Sequence, residues 1–282
     1  MTAQPDGDHS RSGSADDQVD DLADHGVEAP QPKAKLSETL WSVWAWFAFG
    51  VCVLVWVPMV FVVYLVTLPF DRTHYWSGYL YRKMPVAHQK LNPLWHFHVT
   101  GDLPANPRNP YVVVANHESF VDILLISHLP WEMKWLSKKE MFNIPIAGWL
   151  MYLAGDIKLY RGDKGSASKA MVKCRWYLAK HVSIMIFPEG TRQKDGELGP
   201  FKDGAFRLAI ESQVPILPLA VTGTKEALRK HDWRFGRADS EVHVMEPVDT
   251  AGMTLDDVDG LRDHVRSLIE VQLAKMQAAH AD

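Results

Sequence analysis

The segment Asn116-His117-Glu118-Ser119-Phe120-Val121-Asp122 sets a histidine and an aspartate with four residues between them. A carboxylate on one ring nitrogen of a histidine fixes the tautomer and leaves the other nitrogen basic. It also stabilises the imidazolium that forms on proton uptake. If the chain winds into a helix at once, Asp122 falls about one turn beyond His117 and the side chains meet. A pair that merely caps a helix has the same spacing, so the flanking chain must decide.

Upstream, Tyr111-Val112-Val113-Val114 is uncharged and β-branched, and Asn109-Pro110 bounds it. That reads as a short buried strand. Downstream, Ile123 to Leu129 reads as a helix closed by Pro130. His117 therefore belongs where a strand ends and a helix begins, at the carboxyl edge where open α/β sheets bind ligands. Two other apolar runs end the same way. Gly155 to Arg161 alternates as a strand ending in Arg161, and Ser183 to Phe187 leads into Pro188-Glu189-Gly190-Thr191-Arg192. If the three strands are parallel, a histidine base and two guanidiniums able to fork onto a phosphate share one edge.

Strands and helices alternate from Trp95 onward. Strands are expected at 95–99, 133–137, 214–221 and 241–245, and helices at 164–180, at 203–212 with Asp203 as N-cap, and at 255–279. An interrupted apolar helix, 140–153, suits core packing or the wall of an acyl channel. The fold class expected is α/β, a mainly parallel sheet flanked by helices. His96 and His98 share a strand face, but no third ligand is near, so they read as ordinary strand histidines.

Before this domain, Leu40 to Phe70 carries no charge and exceeds what one hydrocarbon core needs, with Pro58 near its middle. It reads as a tilted or kinked span, or as a hairpin dipping into one leaflet. Trp41, Trp44 and Trp46 at its entrance suit an interfacial belt. Residues 72–90 read as an amphipathic interfacial helix stopped by Pro85. The acidic, polar stretch 1–34 reads as a disordered tail and lacks the features of a signal peptide. The domain expectation is 1–34 tail, 35–93 membrane segment and 94–282 catalytic domain on the cytoplasmic side. A net charge of −4 gives no electrostatic case for nucleic acid, and Cys52 and Cys174 form no disulfide framework or metal spacing.

The residues resemble the 1-acyl-sn-glycerol-3-phosphate (lysophosphatidic acid) acyltransferase family, within the glycerolipid acyltransferases. The resemblance covers about Val99 to Val221, and more loosely the apolar N-terminus. Asn116 to Asp122 is similar to the family's NHxxxxD block. Gly155 to Arg161 resembles its second block, a strand ending in Arg. Phe187 to Arg192 matches FPEGTR, and Val214 to Pro218 matches VPIxP. Gln193 departs from the Ser common after the Arg, and Leu159-Tyr160 loosens the second block.

The resemblance implies direct acyl transfer from acyl-CoA or acyl carrier protein to the hydroxyl of lysophosphatidate, giving phosphatidate, with no metal or other cofactor. It implies His117 as general base and Asp122 as its orienting carboxylate. Arg161 and Arg192 would hold the acceptor's phosphate. Thr191 and the Gly190 amide are added donors, Glu189 positions an arginine or bonds the glycerol, and Asn116 joins the substrate site. Another lysolipid, or glycerol-3-phosphate, would take the same chemistry. A hydrolase lacks a Gly-x-Ser-x-Gly elbow. A non-catalytic lipid-binding protein would predict a damaged first block.

Overall fold

The computed structural model describes residues 36–106, 108–160, 164–192, 198–228 and 232–281. The 1–34 tail and Arg161 lie outside the described residues. The strands past Leu94 are β1 (Trp95–Gly101), β2 (Val112–Ala115), β3 (Met133–Lys138), β4 (Ile157–Leu159), β5 (Ser183–Ile186), β6 (Ile216–Thr222) and β7 (Ala238–Val244). They form one seven-stranded sheet in the order β1-β7-β6-β2-β5-β3-β4. Only the β6–β7 pair is antiparallel. Strands β2 to β6 all run parallel, so their carboxyl ends share one edge.

The helices are α1 (Leu36–Thr67), α2 (Tyr75–Leu91), α3 (Asp122–Ile126), α4 (Ala147–Leu153), α5 (Lys164–Leu178), α6 (Gly204–Ser212) and α7 (Val258–Ala281). Both sheet faces are covered, which is why the central strands are apolar at every position. Val112 and Val114 point into a core built with α5, α6 and α7, around Phe206, Tyr177 and Ile269. Val113 and Ala115 point the other way, onto Leu125, Ile126 and Trp131. Period-two alternation thus feeds two cores from one strand.

The N-terminal elements settle three points of local geometry. The apolar segment is one continuous helix, α1, with Pro58 inside it. At 1.5 Å per residue it is about 48 Å long. It pairs with α2 in antiparallel fashion: the Trp44 indole donates to the Leu91 carbonyl at 2.9 Å and Trp56 to Leu80 at 3.1 Å. The hairpin is therefore α1 with α2, not a fold within 40–70. Second, Pro85 does not stop α2, which runs on to Leu91 with Pro85 buried. Tertiary burial outweighs the local cost of a helix proline, about 3 kcal/mol. Third, Trp46 donates to the Trp233 carbonyl at 2.9 Å, so two of the entrance tryptophans tie α1 to the rest of the protein. The outer face of α1 remains apolar and exposed, with Phe47, Leu54 and Val66 each more than 60% accessible. Among the described residues this is the one helix long and apolar enough to cross a membrane.

Asp203 precedes α6 but makes no side-chain cap. Its carboxylate accepts instead from Arg262 of α7 at 2.6 Å, tying the two helices together.

Candidate active site

The connections from β2 and β5 leave in opposite directions across the sheet: β2 leads to β3 on one side, β5 to β6 on the other. The carboxyl ends of these two adjacent strands form a topological switch point, where a crevice opens. His117 follows β2 and Glu189 follows β5, and they meet there. The His117 backbone N–H donates to Glu189 Oε1 at 2.8 Å.

The His117 side chain reaches Asp122, the first residue of α3. Nδ1 lies 2.7 Å from Asp122 Oδ2. An ionised carboxylate only accepts, so Nδ1 carries the proton and Nε2 is left as the basic nitrogen. Asp122 is fully buried yet well satisfied. The same Oδ2 accepts the N–H of Glu118 at 2.8 Å and of Ser119 at 3.0 Å. Oδ1 accepts the Thr224 hydroxyl. The imidazole stacks on Phe187, ring centroids 4.0 Å apart and 16° from parallel. Backbone, carboxylate and ring face are all held, so His117 has one orientation and presents Nε2 outward, its side chain 17% exposed.

Asn116, expected to join the substrate site, is fully buried. Its Nδ2 donates to the Val221 carbonyl and its Oδ1 accepts the Val221 N–H, both at 2.8 Å. The side chain continues the β2–β6 ladder past the end of β2 and aims the loop that carries His117.

Glu189, also buried, accepts two backbone N–H groups, His117 on Oε1 and Gly199 on Oε2 at 3.0 Å. It ties the β2 loop to the chain returning after the 193–197 segment. Gly190 adopts φ +75°, and its N–H closes the turn onto the Phe187 carbonyl at 3.1 Å. That amide is spent in the turn rather than offered to a substrate. The positive φ favours glycine here, and a β-carbon would lie 2.8 Å from the Lys202 ammonium. Thr191 and Arg192 follow at the surface, both exposed. Arg192 makes no hydrogen bond among the described residues.

Three contributors were not anticipated. Lys202 brings a cation to the Glu189–Arg192 turn, its backbone N–H bonded to Pro188 at 2.9 Å. Thr224 lies 102 residues from Asp122 and arrives because β6 neighbours β2. Glu118 faces Thr224 Oγ1 at 3.4 Å. Burial, with the Asp122 charge second, pushes its carboxyl up to about 7. Spacing along the chain carries no signal for Thr224. For Glu118 the signal was its place inside the first block.

With this geometry in place, comparison with known proteins gives one consistent result. The Acyltransferase family model matches residues 96–222. The 1-acyl-sn-glycerol-3-phosphate acyltransferase alpha of Homo sapiens is 40% identical over 162 residues, covering 57% of this chain and 57% of that one. A 1-acyl-sn-glycerol-3-phosphate acyltransferase of Chlamydomonas reinhardtii is 33% identical over 233 residues, covering 78% of this chain and 67% of that protein. The chain spans a little over half the length of most curated relatives it matches. The crystal structure of the 1-acyl-sn-glycerophosphate (LPA) acyltransferase of Thermotoga maritima superposes with a TM-score of 0.67 at 23% identity. It covers 86% of this chain and 97% of that one, a likeness of fold.

Proposed function

The chain belongs to the 1-acyl-sn-glycerol-3-phosphate acyltransferase family, and on that premise we propose that it moves a fatty acyl group from a thioester donor to the free hydroxyl of lysophosphatidate, giving phosphatidate. The observation that carries the reading is the carboxylate-held histidine at the switch point of the sheet. Nε2 of His117 takes the proton of the acceptor hydroxyl as its oxygen attacks the thioester carbonyl. Asp122 keeps the base in the right tautomer and stabilises the imidazolium. The proton then passes from Nε2 to the departing thiolate, which restores the neutral ring.

The acceptor's phosphate is assigned to the basic rim after β4 and β5. Arg192 is exposed there, Lys202 sits against the same turn, and Arg161 follows β4 in sequence. Guanidinium forks suit a phosphate monoester. The donor is acyl-CoA or acyl carrier protein. Residues 94–282 are assigned as the catalytic domain and 35–93 as its membrane part.

The outer face of α1 is the surface given to the bilayer. Its inner face is held along its length by the protein: Ser42 by Phe235, Trp56 by Leu80, and Tyr64 stacked on His74. A helix so held favours embedding from one side over a free-standing span. The catalytic domain then lies on the cytoplasmic side, where the thioester donor is.

The test is acyl transfer by membranes carrying the chain, with labelled acyl-CoA or acyl carrier protein offered in parallel to lysophosphatidate, glycerol-3-phosphate and lysophosphatidylcholine. Label entering phosphatidate from lysophosphatidate alone is the expected result. Transfer to a different acceptor would overturn the phosphate assignment of the arginines. No transfer from either donor would overturn the reaction.

A further inference from the structure

The polar contacts behind His117 do not stop at Asp122. Thr224 is fully buried in the turn that follows β6. Gly223 before it has φ +82°, and a β-carbon there would collide with the Asp239 carbonyl. The turn is thus pressed against the sheet, and the Thr224 hydroxyl is set between two carboxyls. One is Asp122, whose Oδ1 it bonds; the other is Glu118, with Oε2 3.4 Å from Thr224 Oγ1.

A threonine hydroxyl has one proton and two lone pairs. Asp122 Oδ2 is taken up by His117 and two backbone N–H groups, so Oδ1 claims the Thr224 proton. The lone pairs of Thr224 are then turned toward Glu118. An ionised Glu118 would set lone pairs against lone pairs, or compete with Asp122 for a single proton. A protonated Glu118 would donate, and every contact in the line would be satisfied.

The groups around Glu118 pull in both directions. Burial, then the Asp122 anion, favour its neutral form; the Thr224 hydroxyl and backbone N–H, and the Lys225 cation, favour the ionised form. The sum leaves the carboxyl titrating near neutrality, at about 7, rather than with ordinary glutamates.

We propose that Glu118 is a positioning residue for the histidine: its protonated carboxyl donates to Thr224, Thr224 donates to Asp122, and Asp122 holds His117. This rests on His117 acting as base in the reaction proposed above. When Glu118 ionises, it draws the Thr224 proton away from Asp122 and adds a second negative charge beside it. Asp122 loses one of its holders, and the orientation of His117 loosens. Glu118 shapes the alkaline side of the pH profile.

The experiment is the pH dependence of kcat from pH 6 to 9, at saturating donor and acceptor. It compares the full-length wild type with Glu118→Gln, Thr224→Ser and Thr224→Val, each profile scaled to its own maximum. The wild type is expected to lose several-fold in kcat above pH 7, with the acceptor KM nearly constant. Glu118→Gln cannot ionise but still donates, so its alkaline decline should vanish. Thr224→Val should abolish the decline too, and Thr224→Ser should keep it. Thermal melts check that each variant is folded. If Thr224→Val fails to fold, Glu118→Gln and Thr224→Ser still decide. A Glu118→Gln profile that superimposes on the wild type, or a wild-type profile flat from pH 7 to 9, overturns the proposal. Absence of turnover with any acceptor overturns the underlying reaction and this proposal with it. Turnover with an unshifted profile overturns only the Glu118 chain.

Discussion

The protein buries two clusters of charge, and they are built to opposite ends. One lies at the carboxyl edge of the sheet: His117, Asp122, Thr224 and Glu118. The other lies toward the amino ends of β3 and β4, beneath α2. There Lys134, with no accessible surface, donates to Glu132 at 2.8 Å, the His74 carbonyl at 2.9 Å and the Ala154 carbonyl at 2.6 Å. Arg82 of α2 bonds Asp156 at 2.5 Å, and the Trp135 N–H reaches the same oxygen at 3.1 Å. Gly78 allows the approach, since a β-carbon there would strike Glu132. The second cluster is balanced, two cations against two anions, and sealed. The first sets two carboxyls side by side and leaves one imidazole nitrogen open to the crevice. Matched buried charge fastens the α1–α2 hairpin to the sheet; in the reaction proposed above, the unmatched cluster positions the base. Two aromatic rings lie between them: Trp135, 5.3 Å under Arg82, and Phe187, stacked on His117.

That contrast can be broken experimentally. Lys134→Met leaves Glu132 in the core with only the longer Arg82 contact, at 3.9 Å, and should cost about 3 kcal/mol of stability in denaturant unfolding, as removal of one partner of a buried pair does. Pairing it with Glu132→Gln should recover much of that loss. A single-variant cost below about 1 kcal/mol would mean that the cluster fastens nothing.

The Glu118 carboxyl gives a smaller effect with a definite sign. Its folded value, about 7, lies above the ordinary 4.5. The stabilisation is therefore complete below pH 4.5 and is lost as pH rises through 7. The loss is at most about 3 kcal/mol, reduced by solvent screening. Melting at pH 5 and pH 8 should show a larger drop for the wild type than for Glu118→Gln, and equal drops would contradict the assignment.

Arg192→Ala should raise the acceptor KM on the order of ten-fold, about 1.4 kcal/mol, and leave the donor KM unmoved. Equal effects on both would take Arg192 out of the phosphate site.

The sequence made legible what is local or periodic. The His117–Asp122 contact follows from spacing, and the parallel sheet follows from alternating apolar strands and helices. What escaped depends on register and on distant neighbours. Asn116 is expected at the site through its place in the first block, and only the β2–β6 pairing reveals that it completes a ladder with Val221. Glu189, expected to position an arginine or bond the glycerol, accepts from two backbone segments that only the folded chain brings together. Thr224 carries no local signal, since chain topology alone brings it to Asp122. Pro85 reads as a helix stop, but burial of α2 against α1 and the sheet overrides it.

The central claim is that the Asp122-held His117 is the base. The direct test is kcat for acyl transfer to lysophosphatidate by wild type, His117→Ala and Asp122→Asn, in preparations matched for amount of protein in the membrane. The account predicts transfer at background for His117→Ala. It predicts a loss on the order of 10²–10⁴ for Asp122→Asn, with membrane association intact in both. Wild-type turnover in His117→Ala would contradict it outright.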